Sequence, residues 1–393
     1  MNNSYQVSKL ELINELTNIF SYWIDYSIDD ENGGFFGEIS YDNKVNKNSK
    51  KSVVLNTRIL WAFSSAYIFN PKPEYLEMAK RAYDYILKYF WDAENGGVYW
   101  EIDSNGNPSN TNKIIYGQGF ALYGFSEFYK ATGNKESLEY SIKIFELIEK
   151  YSYDSIYGGY IEAFSKEWKV INSIKTMNTH LHIIEPYTNL YCVWKDELLG
   201  KKLKDLIYVF LEKIIDPKSQ NFNLVFKLNW EIISNEISYG HDIEGTWLLN
   251  EAAQVYGDES LINKIEEITI KMSDKVLENG IDFDGSIFYE FNKSKNHLNT
   301  DKHWWPQAEG MVGFLNSYQI TKDQKYLQEF EKLWKFIKNN IIDEKNGEWF
   351  HMVRKDGTIC KNDPKVGFWK CPYHNSRALI EVIKRLQTIQ SNI

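Results

Sequence analysis

The feature that most constrains this chain is a period. An Asn/Asp/Gly turn followed by alternating aromatic and aliphatic residues occurs six times. It reads ENGGFFGEI from Glu31, ENGGVYWEI from Glu94, IYGGYIEAF from Ile156, NFNLVFKLNW from Asn221, FDGSIFYEF from Phe283 and KNGEWFHMV from Lys345. Marker glycines Gly34, Gly97, Gly159, Gly285 and Gly347 stand 63, 62, 126 and 62 residues apart, the third interval being two periods. Asn223 falls near the place of the missing marker. A fixed period of this length belongs to repeat architectures, in which each unit buries its apolar face only against its neighbours. Each copy is predicted as a strand or β-hairpin entered through a turn of positive φ, which Gly and Asn tolerate.

Two kinds of helical segment lie between the turns. The first kind is charged and amphipathic: Lys9 to Phe20, Glu74 to Phe90, Lys135 to Lys150, Lys201 to Ile215, Glu259 to Leu277 and Gln324 to Asn340. Their Lys and Glu mark a solvated face and their periodic aromatics a buried one. The second kind follows each turn and is poor in charge, with segments beginning at Asn56, Tyr116, Met177, Ser238, Trp304 and Cys371. Helices with so little charge are buried on nearly all sides. Six exposed helices alternating with six buried ones predict two concentric rings, an all-α (α/α)6 barrel with short β-hairpins at the cavity mouth. An open superhelix shares the helix-pair repeat, but polar groups gather at one end of the buried helices, which favours closure. No Pro-, Gly- or Ser-rich linker interrupts the 393 residues, so residues 1–393 are expected to form one domain.

Bulk properties narrow the function. A net charge of −9 without any basic run argues against nucleic acid as partner. Three scattered cysteines, Cys192, Cys360 and Cys371, make neither a disulfide framework nor a zinc knuckle. No apolar signal core or membrane-length apolar window is present, so a cytoplasmic protein is expected.

The starts of the buried helices carry the chemistry. They bring Asn56 and Arg58, then Tyr116 and Gln118, then Asn178, His180 and His182. His241, Glu244 and Trp247 follow, then Trp304, Trp305 and Glu309, and finally Trp369, Tyr373, His374 and Asn375. Of seven histidines, four sit in these segments, the pattern of an acid/base site. His297, His303 and His351 are expected to be surface or loop residues. His241, Glu244 and Trp247, three residues apart, span ~120° of a helix and share a face. His180 and His182 point ~200° apart, which works against joint metal binding. His182 shares the face of Asn178 and is expected in the cavity, with His180 packed between helices. Arg58, in an apolar segment, needs a partner such as Glu244 or Glu309, or a ligand oxygen. Indoles beside polar groups suit carbohydrate, whose CH faces stack while its hydroxyls form hydrogen bonds.

The segments NTRILW (56–61), KTMNTHLHIIEPYTNLY (175–191), SYGHDIEGTWLL (238–249), WWPQAEGMVGF (304–314) and WKCPYHNSR (369–377) resemble the N-acylglucosamine 2-epimerase superfamily over nearly the whole chain. The resemblance implies an (α/α)6 barrel without cofactor or metal. It places the catalytic histidines at His241 and His374, and substrate-contacting or supporting residues at Arg58, Tyr116, Asn178, His182, Glu244, Trp247, Trp305, Glu309 and Trp369. Pro306 and Gln307 depart from the usual residues beside the tryptophan pair, which bears on how Trp304 and Trp305 are presented. The implied activity is reversible 2-epimerisation of the reducing-end glucose of β-1,4-linked disaccharides, cellobiose to glucosyl-mannose and also lactose to epilactose. The expected partner is a small disaccharide, with no nucleic acid, no membrane and a monomeric state.

The chemistry asks for two bases. A ring-opened aldose has an acidic C2 proton because the C1 carbonyl stabilises an enediolate. One imidazole removes that proton and another returns one on the opposite face. Arg58, Asn178 and His182 are expected to stabilise the oxyanion, Glu244 to orient His241, and Trp305 and Trp369 to stack on the sugars. The rival activities are an N-acylglucosamine 2-epimerase or mannose/glucose isomerase on the same scaffold, an inverting glycosidase using Glu244 and Glu309, and a non-catalytic sugar binder.

Overall fold

The computed structural model describes residues 7–391. Twelve α-helices follow one another among them: α1 (Lys9–Tyr26), α2 (Val53–Phe69), α3 (Pro73–Tyr85), α4 (Ile115–Thr132), α5 (Lys135–Tyr151), α6 (Met177–Val193), α7 (Glu197–Val209), α8 (Tyr239–Tyr256), α9 (Glu259–Asn279), α10 (Trp304–Thr321), α11 (Gln324–Phe336) and α12 (Tyr373–Ser391). α2, α4, α6, α8 and α10 are the charge-poor ones, while α12 carries Arg377, Glu381, Lys384 and Arg385. In α2 every residue from Val53 to Ala66 is buried, whereas α11 buries one stripe, including Tyr326, Phe330, Leu333 and Trp334. α7 begins at Glu197, four residues before the expected start, because the Asp196 carboxylate caps it by accepting from Leu199 N–H.

Contacts define the arrangement. α2 packs on α4, α4 on α6, α6 on α8, α8 on α10, α10 on α12 and α12 back on α2. Outside this ring, α3, α5, α7, α9 and α11 each pack on the preceding inner helix, and α1 packs on α12. The result is an α/α toroid. Its first and last parts are joined by buried bonds: the Trp23 indole donates to Glu348 (2.7 Å) and the Trp349 indole to Glu15 (2.8 Å). An open superhelix would leave those groups facing solvent.

The turns between repeats share one construction. In five of them a carboxylate accepts backbone N–H groups two and three residues on, as Asp92 does from Glu94 and Asn95, and in the other Asp282 accepts from the adjacent Phe283 N–H. In five turns the same carboxylate pairs with a lysine: Asp29 with Lys51, Asp92 with Lys113, Asp154 with Lys175, Asp282 with Lys302 and Asp343 with Lys365, at 2.7–3.0 Å. The extra N–H donors offset the cost of removing these charges from water. Four turns are also clamped by a residue of the following inner helix, always 20 positions on. Gln118 brackets the Val98 N–H and C=O, Gln307 brackets those of Ile287, His180 accepts from Tyr160 N–H, and Asp242 accepts from Phe222 N–H.

The marker glycines sit at positive φ; Gly34, at +63°, has the Tyr85 ring where a Cβ would stand. The fourth copy differs from expectation, since Gln220 (+60°), not Asn223, takes the left-handed conformation. Strands are only two or three residues long. The strand leading into an inner helix pairs antiparallel with the next repeat's hairpin, as Lys51–Ser52 does with Glu101–Ile102 and Glu236–Ser238 with Glu290–Asn292. These stitches fix the inner-helix starts relative to one another at one end of the toroid.

Candidate active site

At that end lies a cavity of about 280 Å³ lined by Arg58, Tyr116, Asn178, His182, His241, Glu244, Tyr289, His303, Trp304, Trp305, His351, Trp369 and His374. A wider groove of about 550 Å³ runs outside, beside α1 and Trp334, but no histidine lines it. Nine of the eleven site residues expected from the sequence therefore border one cavity. The other two, Trp247 and Glu309, are buried behind it: the Trp247 indole donates to Glu309 (3.0 Å), and Trp247 offers a sugar no face.

His241 is in the first turn of α8 and His374 in the first turn of α12, with α10 between those helices in the ring. Trp305 of α10 touches both imidazoles, at centroid distances of 4.6 and 5.8 Å, which caps the separation of the two rings at 10.4 Å. Gly240 makes this possible, because a Cβ there would lie 2.6 Å from the Trp305 ring. The partners of the two imidazoles differ. His374 Nδ1 donates to Glu309 (2.7 Å), which fixes the neutral ring's lone pair on Nε2. His241 Nδ1 is hydrogen-bonded to the Ser238 hydroxyl (2.7 Å). Glu244, expected to orient His241, instead accepts from Arg377 (2.8 Å).

Arg377 was not singled out from the sequence, yet it is the hub beneath the cavity. Its guanidinium bonds Glu185, Glu244 and Glu309, and also the Tyr373 hydroxyl, which itself bonds Glu185. Glu244, Glu309 and His374 bring metal-ligand atoms within 4.8 Å of one another. The Arg377 cation lies against both carboxyl groups. Of the two partners considered for Arg58, the ion pair with Glu244 or Glu309 is made instead by Arg377. Arg58 donates to the Tyr116 hydroxyl (2.6 Å) and the Trp369 carbonyl (3.3 Å), and lies over the Phe120 and Tyr373 rings at 4.2 and 4.7 Å. Among the described residues its Nε has no hydrogen-bond partner, nor do Asn178 Oδ1, Glu244 Oε2 or Trp304 Nε1, all buried around the cavity.

His182 reaches the cavity through a break in its helix. Its backbone (φ −92°, ψ 15°) is not helical, and Pro186, four residues on, has no N–H for its carbonyl. Its Nδ1 donates to Glu185 (3.1 Å). His180 lies outside the cavity as expected, with Nδ1 donating to the Thr176 carbonyl (2.7 Å).

Burial sets the protonation states. It pushes His241 down to about 3 and His180 to about 4. Burial, then Arg58 and Arg377, hold His374 well below the usual imidazole range. Burial also lowers His182, against the pull of Glu185. At rest all are neutral bases, so a paired resting imidazolium is not the ground state. Burial, then repulsion from Glu309, holds Glu244 well above the usual carboxylate range.

His303 and His351, expected as surface or loop residues, border the cavity. His303 stacks on Tyr289 at 4.0 Å, and His351 lies 4.6 Å from Trp304. Gln118, Gln307 and Asn375 face away from it: the first two clamp turns, and Asn375 donates to Glu348 (2.7 Å). Trp369, 46% exposed, forms the outer lip.

The mouth of this toroid gathers five imidazoles, a buried arginine and three indoles, and the chain is a carbohydrate epimerase or isomerase. The chain belongs to the N-acylglucosamine 2-epimerase family, whose model matches residues 34–378. Cellobiose 2-epimerase of Bacteroides fragilis is 45% identical over 389 residues, covering 96% of this chain and 99% of that protein. Cellobiose 2-epimerase of Dictyoglomus turgidum is 40% identical, covering 97% and 99%. The structure of cellobiose 2-epimerase from Bacillus thermoamylovorans superposes with a TM-score of 0.91 at 39% identity, covering 96% and 99% of the two chains.

Proposed function

We propose that this protein is a cellobiose 2-epimerase, built as a single-domain (α/α)6 barrel, that interconverts cellobiose and glucosyl-mannose. The observation that carries the mechanism is the pair of imidazoles, His241 and His374, on either side of one indole at the mouth. The reducing-end sugar opens to its aldehyde, and Arg58 donates to O1, where negative charge develops when the C2 proton leaves. One imidazole takes that proton through its Nε2 lone pair and becomes an imidazolium. The other imidazole, protonated from solvent once the first has taken up its charge, returns that proton to the opposite face of C2, and the first imidazolium releases its proton to solvent. Glu309 stabilises the charged form of His374 through Nδ1.

The role of His182 differs from the oxyanion donor expected from the sequence. Glu185 takes its Nδ1–H, so in the neutral ring Nε2 carries a lone pair that accepts from a sugar hydroxyl. Trp305 supports the reacting sugar, while Trp369 with the Tyr289, His303 and His351 side borders the second sugar. No cofactor enters, because the substrate's own C1 carbonyl supplies the C2 acidity.

The test is product analysis in heavy water. Cellobiose should yield glucosyl-mannose carrying solvent deuterium at C2, with His241→Ala and His374→Ala each slowed by at least ~10³-fold and unchanged in circular dichroism. Turnover near wild type in either variant removes that residue from the proton transfer, and a ketose or N-acetylmannosamine product reassigns the activity.

A further inference from the structure

We infer that Gly119 is the positioning residue for His182, and that its requirement is created by Pro186. The inference rests on the role given above to His182 in contacting substrate. Inside an α-helix the carbonyl of residue 182 accepts from the N–H of residue 186. Proline has no N–H, and its ring crowds that carbonyl. In α6 the backbone gives way at His182, at φ −92° and ψ 15°. The displaced carbonyl must go somewhere, and it turns toward the neighbouring inner helix. There α4 carries Gly119, and a Cβ on Gly119 would stand 2.3 Å from the His182 oxygen and 3.7 Å from Pro186 Cγ. The oxygen therefore lies against a bare Cα.

His182 is held at both ends by this contact and by Glu185. Glu185, which also bonds Arg377, fixes the ring through Nδ1. Gly119 fixes the backbone by letting the carbonyl lie against its bare Cα, beside Pro186. An ordinary carbon–oxygen contact is ~3.3–3.6 Å, so a methyl at residue 119 drives the His182 backbone back by about 1 Å. The same face of α4 carries Tyr116, whose ring is 4.8 Å from the His182 ring. The displacement therefore moves His182 away from the Tyr116 side of the cavity, which Arg58 holds in place.

The experiment measures cellobiose epimerisation by Gly119→Ala, Pro186→Ala, the double variant and His182→Ala. A misplacement near 1 Å predicts a ~100-fold loss of kcat in Gly119→Ala, with KM changed less than ~3-fold. Pro186→Ala returns an N–H to the helix, draws the His182 carbonyl back into it and vacates the space beside residue 119. The double variant should then match Pro186→Ala within ~3-fold, a rescue that general loss of packing does not give. If Gly119→Ala does not fold, the double variant must fold and still match Pro186→Ala. Wild-type kcat in Gly119→Ala overturns the inference, as does a double variant no better than Gly119→Ala. Undiminished turnover in His182→Ala defeats instead the substrate role of His182, so the two failures are told apart.

Discussion

Replacing Glu309 with glutamine changes one atom and tests how the two bases are tuned. Glu309 is fully buried and receives three donors: His374 Nδ1 at 2.7 Å, Arg377 Nη2 at 2.7 Å and the Trp247 indole at 3.0 Å. An amide has one acceptor oxygen. If that oxygen stays on His374, the amide N–H faces the Trp247 N–H and a buried donor is orphaned. The bond to the His374 imidazolium also loses its carboxylate charge, falling from an ion pair to a bond with one charged partner, a loss of ~1–1.5 kcal/mol. If the amide turns round, the neutral imidazole is driven to the other tautomer and its Nε2 no longer carries a lone pair. Orphaning the indole costs ~1–3 kcal/mol, so the two arrangements compete, and the combined penalty on the active form is about 3 kcal/mol. At ~1.4 kcal/mol per decade this is a ~100-fold fall in kcat. Ser238→Ala is the internal control, since it removes a neutral bond to His241 worth ~0.5–1.5 kcal/mol, or ~2–12-fold. Initial rates of epimerisation and deuterium uptake at C2 should rank wild type above Ser238→Ala and Ser238→Ala above Glu309→Gln, with KM little changed. Glu309→Gln within ~3-fold of wild type, alongside an inactive His374→Ala, would refute the idea that Glu309 tunes His374.

His180→Gln should keep its turn clamped, as Gln118 and Gln307 do in their repeats, and remove one pH dependence of stability. His180 is pushed down to about 4 from an unfolded value near 6.5, so the stability it contributes is full above pH 6.5 and drains as pH falls toward 4. Between pH 7 and 5 the variant should lose about 2 kcal/mol less than wild type in urea unfolding; an equal loss would mean His180 is charged in the fold. Gln118→Leu orphans the buried Val98 N–H and C=O and should destabilise by ~2–5 kcal/mol in the same assay, against which an unchanged midpoint counts. Trp369→Ala, at the half-exposed lip, should raise KM for cellobiose ~3–10-fold through lost stacking while leaving the melting temperature within a degree or two.

The ring was legible because its cause is local and repeated. Five of the six turns place Asp and then Gly ahead of an aromatic or aliphatic stretch, and most of the buried helices announce themselves by lacking charge. The one marker that failed, Asn223, failed because left-handed backbone at a turn needs only a residue that tolerates it. Gln220 does so in the fourth copy, with its own side chain bonded to the Pro217 carbonyl. Closure rests on long-range partners, Trp23 with Glu348 and Trp349 with Glu15. No period in the sequence could forecast those pairs.

In the site, the residues near the cavity could be found, but their partners could not. Helix position says which side chains point inward. It does not say that Arg377, one turn beyond His374 on α12, would claim Glu244 and Glu309, nor that Glu185 would take the proton of His182. Which acid meets which base depends on the relative heights of neighbouring helices, and the turn stitches set these. His303 and His351 were missed for a related reason. Both flank inner helices rather than lying in them: His303 is the residue before α10, and its strand pairs with the strand leading on from His351. The residue before each inner helix is Ser52, Ile114, Thr176, Ser238, His303 and Pro372 in turn. Aligning the repeats on helix starts would have put His303 in register with Ser238, which holds His241. The wall of this cavity is thus made partly of the edges that join repeats. A search confined to helix faces finds the acid and the base and overlooks what stands across from them.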